Sequence, residues 1–370
     1  MSRIAVAMSG GVDSAVAAAL LVEEGWEVIG ITMNLWPSWL PTPEAGSRTC
    51  CGITAIEDAR ATARRIGIRH YVLNLREAFE RAVIDYFVDE YARGCTPNPC
   101  IACNQAIKFR VLLEKVEGLG CQALATGHYA RIVCDEAAGR HLLLRAADPR
   151  KDQSYVLFAL TQAQLARLRF PVGGYAKDEV RDLARRLGLP VSDKPDSQEI
   201  CFVPTGHYGD LVAARRPAAA RPGPILDRTG MVLGTHGGIA RYTVGQRRGL
   251  GVGGGGPRYV VDIDPERNAV VVGGPDDLLC PSVLLGRVNW IVPPPPPPRV
   301  TVRVRHAAAD VPAVLRLRDD GRVLVEFEAP QRAVAPGQAV TFYAGDVVLG
   351  GGIIERQHPG EEMRGHEQPH

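Results

Sequence analysis

The sequence predicts an α/β fold in the first half of the chain and a β-rich fold in the second half. Up to residue 203, short apolar runs typical of strands alternate with helical stretches, two of which end at Gly25 and Gly67. Strand–helix alternation is typical of a parallel sheet with helices on both faces and ligands beyond the carboxyl ends of its strands. Beyond that point glycine, proline and short β-like runs dominate, so a second domain is expected to begin near Pro204.

Each predicted element follows from the spacing of its apolar residues. In the first half the predicted strands are 4–8, 28–33, 71–75 and 123–125, and the predicted helices are 15–24, 55–66, 79–91, 109–116 and 178–187. In the second half strands are predicted at 259–263, 269–272, 300–304, 313–317, 323–327, 339–343 and 347–354. The last five strands predict a small β-barrel. Six prolines at 293–298 predict a stiff connector, and the polar residues from Glu355 onward a flexible tail.

Composition excludes several classes of protein. The 370 residues are 46% hydrophobic, which is enough to bury cores for two or three domains. The net charge of +2 gives no argument for a nucleic-acid partner, so any such surface must come from local arginine clusters. The N-terminus does not resemble a signal peptide, and no apolar run approaches the roughly 18 residues of a membrane helix. We therefore expect a soluble, cytoplasmic protein with no membrane partner.

The cysteines indicate thiol chemistry. There are nine, an odd number, and several cluster at 50–51 and 95–103, which favours reduced thiols over a disulfide framework. Prolines at 97 and 99 predict that a helix starts near Cys103, where the helix dipole and Lys108 would stabilise a thiolate. Cys103 is therefore a candidate nucleophile. A second thiol, Cys201, lies between apolar residues, a setting that by itself is more typical of a small buried hydrophobe.

The most informative segment joins the first predicted strand to the first predicted helix and reads Ser9-Gly10-Gly11-Val12-Asp13-Ser14. Two glycines allow a tight bend and a close approach to an anion, and the N–H groups of the helix N-terminus point toward negative charge. The serines add hydroxyl donors, and Asp13 adds a carboxylate that can hold magnesium. A strand-to-helix turn with serine and aspartate caps is the alternative. The loop lacks the lysine of a Walker motif and the third glycine of a Rossmann fingerprint.

This loop resembles the signature of the PP-loop ATP pyrophosphatases, which split ATP between its α and β phosphates and adenylate an oxygen atom of a substrate. Further segments resemble tRNA-specific 2-thiouridylase, in that family's order and over most of the chain: 96–103 with 107–109, 125–129, 151–155, 197–202 and 242–250. The resemblance implies a Rossmann-like adenylating domain at 1–203, a central tRNA-contacting domain at 204–280, a C-terminal β-barrel at 281–355 and a flexible tail at 356–370.

The resemblance also implies a reaction, in which the wobble uridine of a tRNA becomes 2-thiouridine at the expense of ATP and with Mg²⁺. The oxygen at carbon 2 is adenylated, and a persulfide on Cys201 delivers sulfur. Cys103 is the partner nucleophile, which closes a disulfide with Cys201 or releases sulfide. A cysteine desulfurase or a relay protein would supply the persulfide. An adenylating site at a sheet edge reaches only an unstacked base, so the anticodon uridine is expected to be flipped.

The same motifs imply the site residues. The expected ATP-binding residues are Ala7, Met8, Ser9, Gly10, Gly11, Val12, Asp13, Ser14, Met33 and Gly127, with Asp13 as the candidate ligand of Mg²⁺. The target base is expected to face Asn98, Pro99 and Cys100. Contacts with the tRNA are expected from His128, Lys151, Asp152, Gln153, Gln246, Arg247 and Arg248.

Other interpretations stay open at this point. Many members of the family carry Asp where this chain has Cys100. Cys100, Cys103 and Cys201 could together hold a [4Fe-4S] cluster with one open iron, or zinc. The persulfide relay is favoured over the cluster. The chain could also be another PP-loop ligase, or a metal- or cluster-bearing RNA-binding protein whose loop only senses nucleotide.

Overall fold

The computed structural model describes residues 2–40, 53–195, 200–203, 207–253, 256–293, 299–306 and 308–356. These residues form three sheets, of five, four and eight strands. The expected fold class is confirmed: a parallel sheet in an α/β part, then a small central β part, then a C-terminal β-barrel. The predicted tail beyond Arg356, the proline run beyond Pro293, and the cysteine pair at 50–51 lie outside the described residues.

The N-terminal part contains seven strands and eight α-helices among the described residues. The strands are β1 (Arg3–Ala7), β2 (Glu27–Asn34), β3 (Arg69–Asn74), β4 (Ala123–Thr126), β5 (Arg131–Asp135), β6 (Arg140–Leu144) and β7 (Leu168–Arg169). The helices are α1 (Val12–Glu23), α2 (Ile53–Ile66), α3 (Arg76–Phe79), α4 (Tyr86–Ala92), α5 (Pro99–Ala102), α6 (Leu113–Gly118), α7 (Gln162–Ala166) and α8 (Lys177–Arg186). The π-helical segments Glu80–Asp85 and Cys103–Leu112 join α3 to α4 and α5 to α6, and 3₁₀ turns occur at Ser154–Val156 and Pro171–Gly174.

The first sheet is parallel throughout and has the strand order β3-β2-β1-β4-β7. Successive side chains of a strand point to opposite faces of its sheet. In β1, Ala5 and Ala7 belong to the same apolar cluster as residues of the helical segment 109–116, whereas Ile4 and Val6 cluster with residues of α1 and α2. Helices therefore cover both faces of the sheet, as the strand–helix alternation predicted.

The helix that carries Cys103 begins earlier than expected. Pro99 occupies its first position, where a missing N–H costs nothing. The side-chain oxygen of Asn98 caps the helix by accepting hydrogen bonds from the backbone N–H groups of Cys100 at 3.0 Å and Ile101 at 3.4 Å. Cys103 lies one turn further on, at the start of the π-helical segment. The expected position of Cys103 at the helix N-terminus is therefore wrong, and Cys100 occupies the first turn.

The central part forms a four-stranded sheet. Its elements are α9 (Tyr208–Arg215), β8 (Gly223–Leu226), β9 (Val232–His236), β10 (Tyr259–Asp264) and β11 (Ala269–Gly273), with 3₁₀ turns at Pro217–Ala220, Ile239–Arg241 and Asp276–Leu278. The strand order is β10-β11-β8-β9, and only the β11–β8 pair is parallel. Ile225, Val260, Ile263 and Val270 form its apolar centre with their neighbours.

Six strands close into the C-terminal barrel. They are β12 (Leu279–Trp290), β13 (Arg299–Arg303), β14 (Val311–Leu317), β15 (Val323–Arg332), β16 (Ala339–Ala344) and β17 (Val347–Ile354). The order is β12-β15-β14-β13-β16-β17, and β12 pairs with β17 to close the ring. The β5–β6 hairpin of the N-terminal part extends this sheet through the pairing of Leu144 with Val347. None of the described helices is long and apolar enough to cross a membrane.

Candidate functional site

The Gly-Gly loop lies at the carboxyl end of β1. Gly10 has a φ of +68°, in the left-handed region, and a Cβ there would lie 2.3 Å from the carbonyl oxygen of Ala55. Gly11 is the N-cap of α1. The Ser14 hydroxyl accepts a hydrogen bond from the backbone N–H of Ser9 at 3.2 Å and donates one to the carbonyl of Gly11 at 3.1 Å. The loop is thereby closed around a helix N-terminus, which favours an anion.

The loop after β4 packs directly against the Gly-Gly loop. A Cβ at Gly127 would lie 2.6 Å from the backbone nitrogen of Ser14, so glycine is required for this approach. Ala7 and Met8 are buried where β1 ends, and Met33 is half-buried near the end of β2. The structure therefore brings the expected ATP-binding residues to one edge of the sheet.

Two side chains from distant segments hold Asp13, and motif reasoning identified neither of them for this site. The Asp13 Oδ1 atom accepts hydrogen bonds from the Tyr129 hydroxyl at 2.7 Å and from Lys177 Nζ at 2.7 Å, and Oδ2 accepts from the same ammonium at 2.9 Å. The side chain of Lys177 is only 6% exposed, although lysine is rarely buried. The partners are separated by 116 and 164 residues, so no local pattern could indicate them.

A second lysine supports the loop from its carbonyl side. Lys194 Nζ donates to the carbonyl oxygen of Gly10 at 3.0 Å and to the carboxylate of Asp58 at 2.6 Å. Both side chains are partly exposed. Since Asp58 lies in α2, this contact connects the loop to the neighbouring helix.

Cys103 and Cys201 pack against one apolar cluster. The cluster includes Leu35 and Leu75, which directly follow β2 and β3, so it lies at the same carboxyl edge of the sheet as the Gly-Gly loop. Phe202 anchors the second cysteine there, with its ring 5.2 Å from that of Phe87 and 5.9 Å from that of Phe79, measured between centroids. Both thiols are half-buried, and Cys100 is exposed.

The alternative of a metal cluster on Cys100, Cys103 and Cys201 has no geometric support. Within the described ranges, which include Cys100, Cys103 and Cys201, no group of three or more His, Cys, Asp or Glu side chains is arranged to hold a metal ion. Asp13, the candidate Mg²⁺ ligand, has both carboxylate oxygens bonded to the Lys177 ammonium. The described residues therefore do not form a protein-built cluster site, and the role of Asp13 as a magnesium ligand stays a prediction.

The barrel holds the loop that was expected to face the target base. The backbone N–H of Thr96 donates to the carbonyl of Pro336 at 2.7 Å, and Gln338 Nε2 donates to the carbonyl of Thr96 at 2.6 Å. Asn98 follows two residues later and uses its side chain as the helix cap. The position of Cys100 therefore depends on both the cap and the barrel.

His128 is buried. Its ring packs against those of Phe109 and Phe170, at centroid distances of 5.7 and 5.8 Å, and its Nδ1 is 2.6 Å from the Thr126 hydroxyl oxygen. Burial lowers the pKa of His128 well below its usual value, and the nearby Lys108 lowers it further. This placement gives the imidazole a structural role, and its contact with tRNA stays a prediction.

Asp152 is also buried, at the junction with the barrel. Its carboxylate accepts hydrogen bonds from the backbone N–H groups of Ala146 and Ser154, both at 3.1 Å, and from Arg303 Nη1 at 3.0 Å. Arg145 Nη1 lies 3.6 Å away. Asp152 thus connects the N-terminal part to the barrel, and a direct contact of its carboxylate with tRNA would require these bonds to break.

The remaining expected tRNA contacts are more exposed. Lys151 is half-buried, and Arg247 and Arg248 are exposed in the central part. Gln246 shapes their turn, because its side chain accepts from the Thr243 N–H at 3.1 Å and donates to the Arg248 carbonyl at 3.0 Å. The side chain of Gln153 instead accepts a hydrogen bond at 2.9 Å from the backbone N–H of Tyr129, the residue whose hydroxyl bonds Asp13.

These features define a class of protein. A Gly-Gly loop with a serine at each end, at the carboxyl end of the first strand of a parallel sheet, is the nucleotide site of a PP-loop ATP pyrophosphatase.

Comparisons with known proteins narrow the class. The chain matches the family models described as the tRNA methyl transferase HUP domain over 2–205, the tRNA methyl transferase PRC-barrel domain over 211–274 and the Aminomethyltransferase beta-barrel domain over 282–354. It is 53% identical over 354 residues to the tRNA-specific 2-thiouridylase MnmA of Moorella thermoacetica, which covers 95% of this chain and 98% of that protein. The corresponding protein of Carboxydothermus hydrogenoformans is 50% identical over 357 residues, with 96% and 98% coverage.

The chain belongs to the tRNA-specific 2-thiouridylase family. Membership of a PP-loop family implies the use of ATP and Mg²⁺.

Proposed function

We propose that this protein is an ATP-dependent tRNA 2-thiouridylase, which replaces the oxygen at carbon 2 of the wobble uridine by sulfur. One observation carries the proposal: Cys103 and Cys201 pack against a single apolar cluster at the carboxyl edge of the sheet that also holds the Gly-Gly loop. Ligands of parallel α/β sheets bind at that edge. The groups for activation and for sulfur transfer therefore lie at the same edge of the sheet.

The loop fits the phosphates of ATP. Its glycines leave the backbone open to an anion, and the N-terminus of α1 supplies N–H groups and a favourable dipole. Mg²⁺ would be brought by the phosphates of the nucleotide, because it binds substrate phosphates readily and keeps several waters. Asp13, the candidate ligand of that Mg²⁺, is held in the first turn of α1 by Tyr129 and Lys177.

The chemistry has two halves. The uridine oxygen attacks the α-phosphorus of ATP, pyrophosphate leaves, and carbon 2 now carries AMP as a leaving group. The outer sulfur of a Cys201 persulfide attacks carbon 2 and AMP departs, which leaves the base joined to Cys201 by a disulfide. The Cys103 thiolate then attacks the Cys201 sulfur, which releases 2-thiouridine and forms a Cys103–Cys201 disulfide. A thiol reductant restores both thiols.

The sulfur-transfer half of the reaction can also proceed by another order of steps. Cys103 can first attack the Cys201 sulfur of the persulfide, which frees hydrosulfide to displace AMP from carbon 2. The same Cys103–Cys201 disulfide results. Both orders need two thiols within reach of each other and a persulfide donor, such as a cysteine desulfurase or a relay protein.

The substrate base reaches this edge by leaving the anticodon stack, since adenylation of its oxygen requires an exposed carbonyl. Asn98, Pro99 and the exposed Cys100 would face it, on the loop that the barrel holds. Arg247 and Arg248 would bind tRNA phosphates. We assign these tasks to an adenylating domain at 1–203, a central domain at 204–280 and a barrel at 281–355.

Mass spectrometry of tRNA nucleosides tests the proposal, after incubation of unmodified tRNA with ATP, Mg²⁺ and a cysteine desulfurase as persulfide donor. The wild type should form 2-thiouridine together with AMP and pyrophosphate. Cys103→Ala and Cys201→Ser should form none above background, because each lacks one partner of the relay. Cys134→Ser is the matched control, since this exposed cysteine lies on β5, away from the cluster.

Two results would overturn the proposal. The absence of 2-thiouridine from the wild type with every persulfide donor would exclude thiolation. Normal turnover by Cys201→Ser would instead assign the chain to the PP-loop ligases, which need no thiol pair.

A further inference from the structure

An exposed tryptophan lies at the same edge of the sheet as the two cysteines and has no role in the proposed reaction. Trp39 belongs to the turn that follows β2, at the carboxyl edge of the parallel sheet. It is 41% exposed, although tryptophan is largely buried in most proteins. In the same turn, Leu35 and Leu40 pack in and against the apolar cluster of the two cysteines. The turn therefore presents an open aromatic surface beside that cluster.

Polar contacts hold the indole in one orientation. Its Nε1–H donates to the carboxylate of Glu80 at 2.8 Å, and the Arg215 guanidinium lies 4.1 Å from the ring centre. The turn itself is closed by a hydrogen bond from Trp36 Nε1 to the carbonyl of Leu40 at 3.3 Å. A side chain that is already oriented loses less entropy when it binds a ligand. The indole is thus prepared to bind a flat group.

Open aromatic rings of this kind bind nucleic-acid bases, because an unpaired base stacks on them through its own ring face. When the wobble uridine leaves the anticodon stack, the base next to it loses one stacking partner. We propose that Trp39 binds an unpaired base of the anticodon loop, the neighbour of the flipped uridine, by stacking it on the open part of the indole. This inference rests on the proposed function, in which that uridine reaches the edge of the sheet.

The charges around Trp39 favour the face of a base over a phosphate. Arg215 is the cation against the ring, and it is paired with Glu80 at 2.6 Å and with Asp85 at 3.2 Å. Its charge is therefore already neutralised. A phosphate here would lie next to two carboxylates, whereas the face of a base carries no net charge.

The adenine of ATP is the other flat group in this reaction, and the fold favours RNA at Trp39. Met33, expected on the adenine side, lies within β2, whereas Trp39 lies beyond the end of that strand. Its ring contacts Arg215 at the end of α9, which belongs to the central part of the molecule. Since that part carries Arg247 and Arg248, expected to bind tRNA, Trp39 lies between the sheet edge and an RNA-binding surface.

Binding of an anticodon stem-loop RNA to the full chain tests the proposal, measured by fluorescence anisotropy at several salt concentrations. Trp39→Leu keeps an apolar side chain but removes the aromatic face, and should weaken RNA binding by at least about fivefold. The slope of log affinity against log salt concentration should stay unchanged, because no phosphate contact is lost. Trp39→Phe retains a ring and should recover most of the affinity.

A second measurement detects the stacked base itself. Stem-loops with an abasic nucleotide directly before or directly after the wobble uridine lack one base but keep every phosphate. With one of these two RNAs, wild type and Trp39→Leu should bind equally, since the base that stacks on Trp39 is missing. An undiminished difference with both RNAs would overturn the proposal, and so would equal affinities of the two proteins for the intact stem-loop.

Two further readouts separate stacking from other roles of the indole. A smaller salt slope in Trp39→Leu would mean that phosphate contacts have moved, which would make Trp39 a structural residue. ATP affinity in calorimetry should stay within about twofold of wild type, and its loss with RNA affinity retained would assign the indole to adenine instead. If Trp39→Leu fails to fold, Trp39→Gln makes the same test, because its amide can still donate to Glu80.

The matched control is Tyr71→Ala, since Tyr71 is an aromatic residue of similar exposure, 43%, on the edge strand β3. It should leave the RNA and ATP affinities unchanged. Wild-type protein that forms no 2-thiouridine would refute the proposed function, whatever the Trp39 variants do. Wild-type protein that binds the stem-loop and thiolates tRNA, with a Trp39→Leu variant that does both equally well, would refute only the stacking role.

Discussion

Gly10 is the residue whose replacement tests the phosphate loop most directly. Alanine there must adopt a φ near +68°, which costs an L-residue about 1–2 kcal/mol, and its Cβ would collide with the carbonyl oxygen of Ala55. We expect Gly10→Ala to lose ATP binding in calorimetry and to unfold at a lower temperature. Gly139→Ala is the control, because Gly139 has a φ of +62° but open space around it. Equal ATP affinity in the two variants would show that the close approach to Ala55 is unimportant for ATP.

His128 should make the stability of the protein depend on pH. Its pKa in the folded state lies well below 6.5, so below about pH 6.5 the unfolded chain binds more protons than the folded protein. The free energy of unfolding therefore falls as the pH falls below that value, by at most about 1.4 kcal/mol per pH unit, and is unaffected by His128 above it. Urea denaturation between about pH 5 and pH 7.5 measures this slope. His128→Gln should flatten it, and an unchanged slope would assign the effect to other groups.

At the residue scale, local motifs and long-range contacts differ in what sequence reasoning can find. Gly10, Gly127 and Asp13 stand in short motifs whose backbone demands are local. The contacts of Tyr129 and Lys177 with Asp13 are not local, because they depend on the packing of α8 and of the loop after β4 against α1. An interpretation of Asp13 from the loop alone therefore favours magnesium, whereas its neighbours in the fold are a phenol and an ammonium.

Among the elements, the helix that carries Cys100 and Cys103 depends on its cap. Asn98→Ala should destabilise the protein by about 1 kcal/mol in urea denaturation, because the N–H groups of Cys100 and Ile101 lose their acceptor. The thiolation rate should fall with it, since Cys103 follows one turn later. Asn98→Asp keeps the capping oxygen and should keep the stability. Wild-type stability in Asn98→Ala would contradict the cap, and a slow but stable Asn98→Asp would indicate contact with the base.

The elements found from the sequence are those whose apolar pattern is local. Strands β1 to β4 and the helices between them follow from their periodicity. The β5–β6 hairpin is missed because most of its residues are only partly buried, without a clear alternation, and its sheet is completed by β17, far along the chain. Strand β12 was missed because Pro281 and Gly286 interrupt it, and both residues are unfavourable inside a strand. The start of α5 was misplaced because proline is tolerated at the first position of a helix.

At the scale of the whole molecule, composition indicates the order of the parts but not how they are joined. The change to glycine-, proline- and β-rich sequence after residue 203 predicts a new domain. The junction itself uses contacts such as that of Arg303 with Asp152, which are 151 residues apart. Through Thr96 and Gln338 the barrel also holds the loop of Cys100. The barrel is thus a structural support of the loop that carries Cys100.

Asp152 tests this junction. Its side chain is 2% exposed and lies between Arg145 and Arg303, and the Arg145 guanidinium also stacks 3.5 Å from the centre of the Tyr343 ring. Asp152→Asn keeps the shape but leaves two enclosed cations with one fewer partner, and breaking a buried pair in this way costs about 3–5 kcal/mol. Urea denaturation should show that loss. We also expect a separate transition at lower urea concentration, in which the barrel dissociates from the parallel sheet.

Asp346→Asn is the matched control for Asp152→Asn, because it removes the same charge from a carboxylate that is 66% exposed and paired with Arg131 at the same junction. An exposed pair of this kind contributes less than about 1 kcal/mol. The barrel also supports the Cys100 loop. In buffer without denaturant, Asp152→Asn should therefore slow thiolation, whereas Asp346→Asn should not. Equal stability losses in the two variants would mean that Asp152 contributes no more than a surface ion pair, and the barrel would then be held by its apolar and backbone contacts.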